Sequence, residues 1–316
     1  MAEPTIDQTD FHFPGQKGLY HGKVRDVYDF GESLLFIATD RYSAFDRNLA
    51  LIPHKGQLVT AISRWWFDKT SHIIKNHVTG YLDAHATLGK KYKVMPIEMV
   101  VRGYITGVTA TSLWHNYSQG QRDFGEFTLP DGLQKNQKLS KPVLTPTSKF
   151  EEHDRPLTPR EAVDEGLIDV KLWNQAKKIA LELFTFGQKT AKAKGLILVD
   201  TKYEFGTDDK GNLVLIDEIH TPDSSRYWLA DSYKTNLAKN EEPDNYDKEY
   251  LRLWYKSRFD PYKDKTAPKA PTKIINELSK RYVEVYERLC GKKFKPADRS
   301  LAQIEANLTK ALGNKS

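Results

Sequence analysis

The chain has 316 residues, of which 39% are hydrophobic and 28% charged, and carries a formal net charge of +6. Its length allows about two domains, and its composition excludes the low-hydrophobicity class of disordered chains. No apolar run approaches the ~18 residues of a membrane-spanning helix, so an integral membrane protein is not expected. The single cysteine, Cys290, excludes an internal disulfide framework and a cysteine-cluster metal site. The opening MAEPTIDQTDFHFPG lacks the basic-then-apolar plan of a signal peptide, which with the lone thiol points to the cytoplasm. Between Tyr262 and Ser300 eleven Lys or Arg stand against five Asp or Glu, a difference of six that equals the whole net charge. A basic stretch confined to one end reads as a solvated face before it reads as a nucleic-acid footprint.

The first predicted element is a β-hairpin. GKVRDVYDF alternates, with Val24 and Tyr28 on one face and Lys23, Arg25 and Val27 on the other, and LLFIATD follows the Gly31-Glu32 turn. Gln57 to Lys69 reads as a helix that keeps Leu58, Ile62, Trp65 and Trp66 on one face. After Tyr92, KVMPIEMVVRGYI is β-rich. The proline-bearing stretch from about Gly120 to Pro159 predicts loops. Thr158-Pro159-Arg160-Glu161 is a capping box with proline at the first helical position, and Gly166 stops that helix. A longer helix is expected from about Asp169 to Lys194, ended by Gly195. LILVDTKYEF and NLVLIDEIH read as two strands joined by GTDDKG, and Thr272 to Leu289 as a last amphipathic helix. Hairpins before and after helices predict an α+β fold with antiparallel sheets. No G-x-G-x-x-G or P-loop motif is present.

The segment Leu196 to Trp228 carries the strongest chemical signal, because apolar strands here hold Asp200, Glu204, Asp217 and Glu218. A turn near Lys210 and Gly211 is expected to bring Glu204 opposite Asp217, at the ~5 Å of a cross-strand pair. Two carboxylates that close need a cation between them or a shared proton. Oxygen ligands without cysteine would suit Mg²⁺, with Lys202 on the same face as Glu204; the alternative is a hairpin with solvent-facing acids. TPDSSRYW then offers Ser224, Ser225 and Arg226, which read as a phosphate or carboxylate site or as an ordinary turn. Lys23 and Arg25 read as a phosphate-covering flap or as surface charge. DRYSAFD (Asp40 to Asp46), TPTSKFEEHD (Thr145 to Asp154) and Arg102 are further polar candidates. The histidines form no zinc-like pair and read as structural or surface residues.

Seven stretches together carry a resemblance: GKVRDVYDF, ATDRYSAFD, IPHKGQLVTAISRWWF, PIEMVVRGYITG, LTPTSKFEEHD, ILVDTKYEFG and LIDEIHTPDSSRYW, in order from Gly22 to Trp228. They resemble the phosphoribosylaminoimidazole-succinocarboxamide synthase (SAICAR synthetase) family of purine biosynthesis. The resemblance implies a ligase that joins L-aspartate to carboxyaminoimidazole ribonucleotide (CAIR) through an acyl phosphate, giving the succinocarboxamide, ADP and phosphate. It implies an α+β, kinase- and ATP-grasp-like fold in two domains, a β-rich domain over residues 1–105 and a larger α+β domain over 106–316, with ATP between them. ATP as co-substrate, Mg²⁺, aspartate and CAIR are the implied small-molecule partners, for a monomer or small homo-oligomer without nucleic acid or membrane.

Residue by residue, the resemblance implies Glu204 and Asp217 as Mg²⁺ ligands and Lys202 as the catalytic lysine facing the phosphates. It implies Lys23, Arg25, Lys149 and the main chain of Glu98, Met99 and Val100 as ATP contacts. Arg102, Ser112, Asp223, Ser224, Ser225 and Arg226 would form the CAIR pocket, with Asp40, Ser43 and Asp46 on the nucleotide or aspartate side. Where many members read RGYITGSAW, this chain reads RGYITGVTATSLW, and Ser112 is taken as the equivalent serine. Two other classes stand beside this reading. One is a different ATP-dependent enzyme on the same scaffold; the other is a nucleic-acid-binding protein using its basic end.

Overall fold

The computed structural model describes residues 5–151 and 155–313, so residues 152–154 of the TPTSKFEEHD segment lie outside the described residues. The chain opens with β1 (Gly18–His21), β2 (Arg25–Asp29), β3 (Ser33–Ala38), β4 (Arg41–Ala44), β5 (Arg47–Leu51) and α1 (Lys55–Thr70). There follow β6 (Val78–Asp83), β7 (Ala86–Lys90), β8 (Lys93–Tyr104), α2 (Leu113–Ser118), β9 (Lys138–Leu144), β10 (Thr147–Ser148), α3 (Pro159–Asp164) and α4 (Val170–Lys192). The last elements are β11 (Leu196–Thr207), β12 (Leu213–Ile216), β13 (Ser225–Leu229), α5 (Ala230–Ala238), α6 (Glu249–Lys256), α7 (Thr272–Cys290) and α8 (Leu301–Gly313). Among the described residues no helix is long and apolar enough to cross a membrane.

The chain divides into two compact units, one formed by 1–65, 77–91 and 246–316 and the other by 66–76 and 92–245. This division departs from the expected boundary at residue 105. β8 joins the second unit because it pairs along its length with β11. The C-terminal helices join the first because their apolar faces bury against N-terminal residues, Tyr282 and Leu278 with Tyr42 and Leu58, and Ile304 and Leu308 with Phe11 and Tyr28.

In the first unit the expected hairpin forms, with Tyr28 across from Leu35 in an antiparallel sheet ordered β1-β2-β3-β7-β6. The inward face of β2 also carries Asp26, fully buried. Its carboxylate accepts from Arg41 Nη2 at 2.8 Å, from the Thr9 amide at 2.7 Å, and lies 3.0 Å from His21 Nδ1. Lys23 departs from expectation: residues 22–24 bend between β1 and β2, so it does not share a strand with Arg25. DRYSAFD forms β4 and a two-residue turn in which Phe45 and Asp46 have φ of 54° and 58°, as a type I′ hairpin turn requires.

In the second unit two twelve-residue strands, β8 and β11, form the spine of an antiparallel sheet. The outer edge of β8 pairs with β9 and then β10, and the outer edge of β11 with β13 and then β12. α4 packs on one face of this spine. Its Asp169 cap accepts from the Leu172 amide at 2.9 Å, and its buried stripe includes Trp173, Ala176, Leu183 and Phe184. Burial of each large apolar side chain stabilises by about 1.5–3 kcal/mol. The capping box at Thr158 and Glu161 forms as predicted.

Candidate active site

Side chains of a strand alternate between faces, so residues two apart share one. On β11 Asp200, Lys202 and Glu204 therefore line one face, and on β8 Glu98, Val100 and Arg102 line the same face. The register confirms this: Asp200 is paired with Arg102, Lys202 with Val100, and Glu204 with Glu98. β13 adds Arg226 directly across from Asp200. Gly103, on the opposite face of β8, is the residue against which Phe184 of α4 closes.

The charges on this face fall into two groups. At one end Asp200 is shared by two arginines: Arg226 Nη1 lies 2.5 Å and Arg102 Nη1 3.5 Å from its Oδ2. The side chains of Arg102, Asp200 and Arg226 are 6%, 7% and 13% exposed. Two buried guanidinium forks side by side suit an anion. Burial lowers the Arg102 guanidinium to about 10, with Asp200 opposing that shift and Arg226 adding to it. Arg102 is further fixed by Thr145 Oγ1 at 2.7 Å and the Thr111 carbonyl at 3.0 Å. Gly107, at φ 96°, packs so closely that a β-carbon would lie 2.5 Å from Ser112 Oγ and 3.2 Å from Arg226 Nη2. Arg102, Arg226 and Ser112 are thus brought together.

At the other end two glutamates and two lysines alternate. Lys202 Nζ donates to Glu98 Oε1 at 2.6 Å and to Glu204 Oε1 at 2.8 Å. Lys149 donates to Glu204 Oε2 and lies 4.0 Å from Glu98 Oε1. Burial opposes the charged form of Glu204, but Lys202 and Lys149 outweigh it and hold the carboxyl well below its usual range. Burial also opposes the Lys202 ammonium, yet Glu204, Glu98 and Asp217 together raise it well above its ordinary value. Glu98 is shifted upward, by burial first and by Glu204, against the pull of Lys202.

Several expected placements change. Glu204 is paired with Ile216, not Asp217. β12 ends one residue short of Asp217, which takes φ 70° and turns the chain out of the ladder. The carboxylate across from Glu204 is Glu98. The main chain of Glu98, Met99 and Val100 is enclosed in the sheet: β10 flanks it on one side and β11 on the other, and the Val100 carbonyl accepts from the Thr145 amide. An open edge for adenine is therefore not found there, and it is the Glu98 side chain that reaches the charged face.

Ser225 turns to the reverse face, with its hydroxyl 2.7 Å from Thr201 Oγ1. Ser224 and Asp223 belong to a turn organised by Thr221, whose Oγ1 accepts from the Asp223 amide at 3.2 Å. His220 is wholly buried with its Nε2 2.5 Å from Tyr203 OH, and burial lowers its imidazole to about 3.

Lys23, Arg25, Asp40, Ser43 and Asp46 lie in the first unit. There Lys23 pairs with Asp46. Asp40 is buried and accepts the Ile6 and Gly56 amides at 2.7 and 2.9 Å, tying the N-terminal segment to the start of α1. Ser43 is half-buried within β4.

Sequence reasoning missed the Glu98 carboxylate and the Asp26–Arg41 pair. The available signal was an acid at an inward position of an otherwise apolar strand, the same signal that singled out Glu204.

The family model described as SAICAR synthetase matches residues 18–269. The phosphoribosylaminoimidazole-succinocarboxamide synthase of Legionella pneumophila (strain Paris) is 52% identical over 275 residues, covering 87% of this chain and 88% of its own length. The chloroplastic synthase of Arabidopsis thaliana is 52% identical over 278 residues, covering 88% of this chain and 68% of its own. Among solved structures, the SAICAR synthase of Saccharomyces cerevisiae complexed with SAICAR superposes with a TM-score of 0.77 at 34% identity, covering 91% of this chain and 99% of that one. A type-2 SAICAR synthetase in complex with ADP gives 0.68 at 26% identity, covering 88% and 100%.

Proposed function

The chain belongs to the SAICAR synthetase family, and from that premise we propose that it joins L-aspartate to CAIR in an ATP-dependent reaction carried by the charged face of β8 and β11. A carboxylate is a poor acyl donor, because its leaving group would be an oxide. Transfer of the γ-phosphoryl group to a carboxylate oxygen of CAIR gives an acyl phosphate and ADP. The aspartate amine then attacks the acyl carbon, the bond from that carbon to the bridging oxygen breaks, the oxygen leaves with phosphorus as phosphate, and the amine proton is lost to phosphate or solvent.

The observation that carries this reading is the juxtaposition of the two charge groups. Asp200 and Glu204 are four residues apart on one strand, about 13 Å at the usual strand rise. The arginine end, with its buried guanidinium forks, supplies recognition of the anionic imidazole nucleotide. The lysine end supplies ammonium groups for phosphoryl oxygens, and phosphoryl transfer depends chiefly on such positioning and charge neutralisation.

The donor set fits a hard divalent cation. Among the described residues no group of three or more His, Cys, Asp or Glu is arranged to hold a metal. Two carboxylates completed by phosphate oxygens and water are, however, the usual protein share of a Mg²⁺ site. Glu204 would hold the ion with Asp217, which acts on the same Lys202 ammonium as Glu204 does. When bound, Mg²⁺ neutralises phosphate charge. Lys202 and Lys149 then orient the phosphoryl oxygens, and Arg102 and Arg226 hold the acceptor.

The test is isotopic. CAIR labelled with ¹⁸O in its carboxylate should deliver one labelled oxygen to the released phosphate. Unlabelled phosphate would exclude the acyl phosphate.

A further inference from the structure

The proposed chemistry assigns Glu204 and Asp217 to the cation and both lysines to phosphate, and leaves one acid on the same face unexplained. Glu98 is buried, yet it stands across from Glu204 where a nucleotide's phosphates would add more negative charge. A carboxylate there opposes anion binding unless it serves another group. Its contacts identify that group. Glu98 Oε1 takes Lys202 Nζ at 2.6 Å, closer than the 2.8 Å bond from the same ammonium to Glu204. Its other oxygen is within 3.5 Å of Thr147 Oγ1 on the neighbouring strand. The side chain is thus fixed from β10 on one side and holds a lysine of β11 on the other.

We propose that Glu98 is a positioning residue whose carboxylate anchors Lys202, so that the ammonium keeps its aim when a nucleotide-bound cation draws the Glu204 oxygens away. A Lys202 held by Glu204 alone would lose its partner as the nucleotide arrived. With Glu98 in place the ammonium keeps one fixed acceptor and directs its remaining N–H groups outward. Lys149 differs: it comes from a loop after β10 and lies 4.0 Å from Glu98, so its main hold is Glu204.

This inference rests on the ATP-dependent reading of the site. It is tested by a double-mutant cycle of Glu98→Gln and Lys202→Met, read as equilibrium affinity for ADP with Mg²⁺ and separately as affinity for CAIR. Glu98→Gln should weaken ADP about fivefold or more when Lys202 is present and less than about twofold when it is Met, with CAIR affinity unchanged and the melting temperature held. An equal loss in both lysine backgrounds, no loss in either, or a parallel loss of CAIR affinity would overturn the role. Wild-type protein that makes no product from the three substrates would instead overturn the underlying reading, which keeps the two failures distinct.

Discussion

Arg102 and Arg226 approach one carboxylate, that of Asp200, from the strands on either side of it, and all three side chains are nearly buried. The pair therefore presents guanidinium donors already oriented for an anionic ligand. Hydrogen bonds to charged groups contribute about 1.5–3 kcal/mol each. Arg226→Ala should accordingly weaken CAIR by about 10- to 100-fold, with ATP affinity changed by less than about threefold. Arg226→Lys should recover little, because lysine lacks the planar fork. Substrate-by-substrate KM values check this, and equal losses for both substrates would place Arg226 elsewhere.

Glu204 is the carboxylate on which both lysines converge. Glu204→Gln keeps the shape and removes the charge, so turnover in Mg²⁺ should fall by about 100-fold or more, on the scale of lost electrostatic stabilisation. Lys202 and Lys149 are 34% and 20% exposed, so water can solvate them and the protein should stay folded by circular dichroism. Wild-type turnover would remove Glu204 from the site.

At Gly107 a β-carbon would meet Ser112 Oγ and crowd Arg226, and φ of 96° disfavours any side chain. Gly107→Ala should raise the KM for CAIR about tenfold or more, through displaced donors in a prearranged site, while the KM for ATP stays near its original value. An alanine variant with unchanged CAIR kinetics would show that this loop does not shape the arginine end.

Much of this was readable from the sequence because it is local. The β2–β3 hairpin, the capped α3 and α4, and the β11–β12 hairpin each follow from alternation, a cap or a turn within a few residues. The site is less local. Glu98 meets Glu204 only because β8 and β11 pair across 106 residues, and no spacing encodes that partner. Asp217 is not the cross-strand partner of Glu204 because the ladder ends at Ile216 and Asp217, at φ 70°, leaves it. The division into units was hidden for the same reason. Ile304 and Leu308 of α8 complete the core around Phe11 and Tyr28, and helical periodicity marks an apolar face without naming what it covers.

The Asp26–Arg41 pair gives a stability prediction. Their side chains are 0% and 5% exposed, and breaking a buried pair by removing one partner costs about 3–5 kcal/mol. Asp26→Ala should therefore lower the denaturation midpoint markedly. Burial opposes the Asp26 anion, but Arg41, His21 and the Thr9 amide outweigh it and hold the carboxyl below its ordinary 3.8. A folded pKa below the unfolded one means that this stabilisation is complete above about pH 4 and is lost as pH falls through the folded value. Wild type should lose stability more steeply than Asp26→Asn below about pH 4. Parallel acid-unfolding curves would contradict this.

The most direct test of the central claim is phosphate release from ATP and Mg²⁺, measured with neither, either and both of aspartate and CAIR. The account predicts release that requires both, with one succinocarboxamide formed per phosphate. Release that is indifferent to CAIR, or that proceeds without a new carbon–nitrogen product, would contradict it.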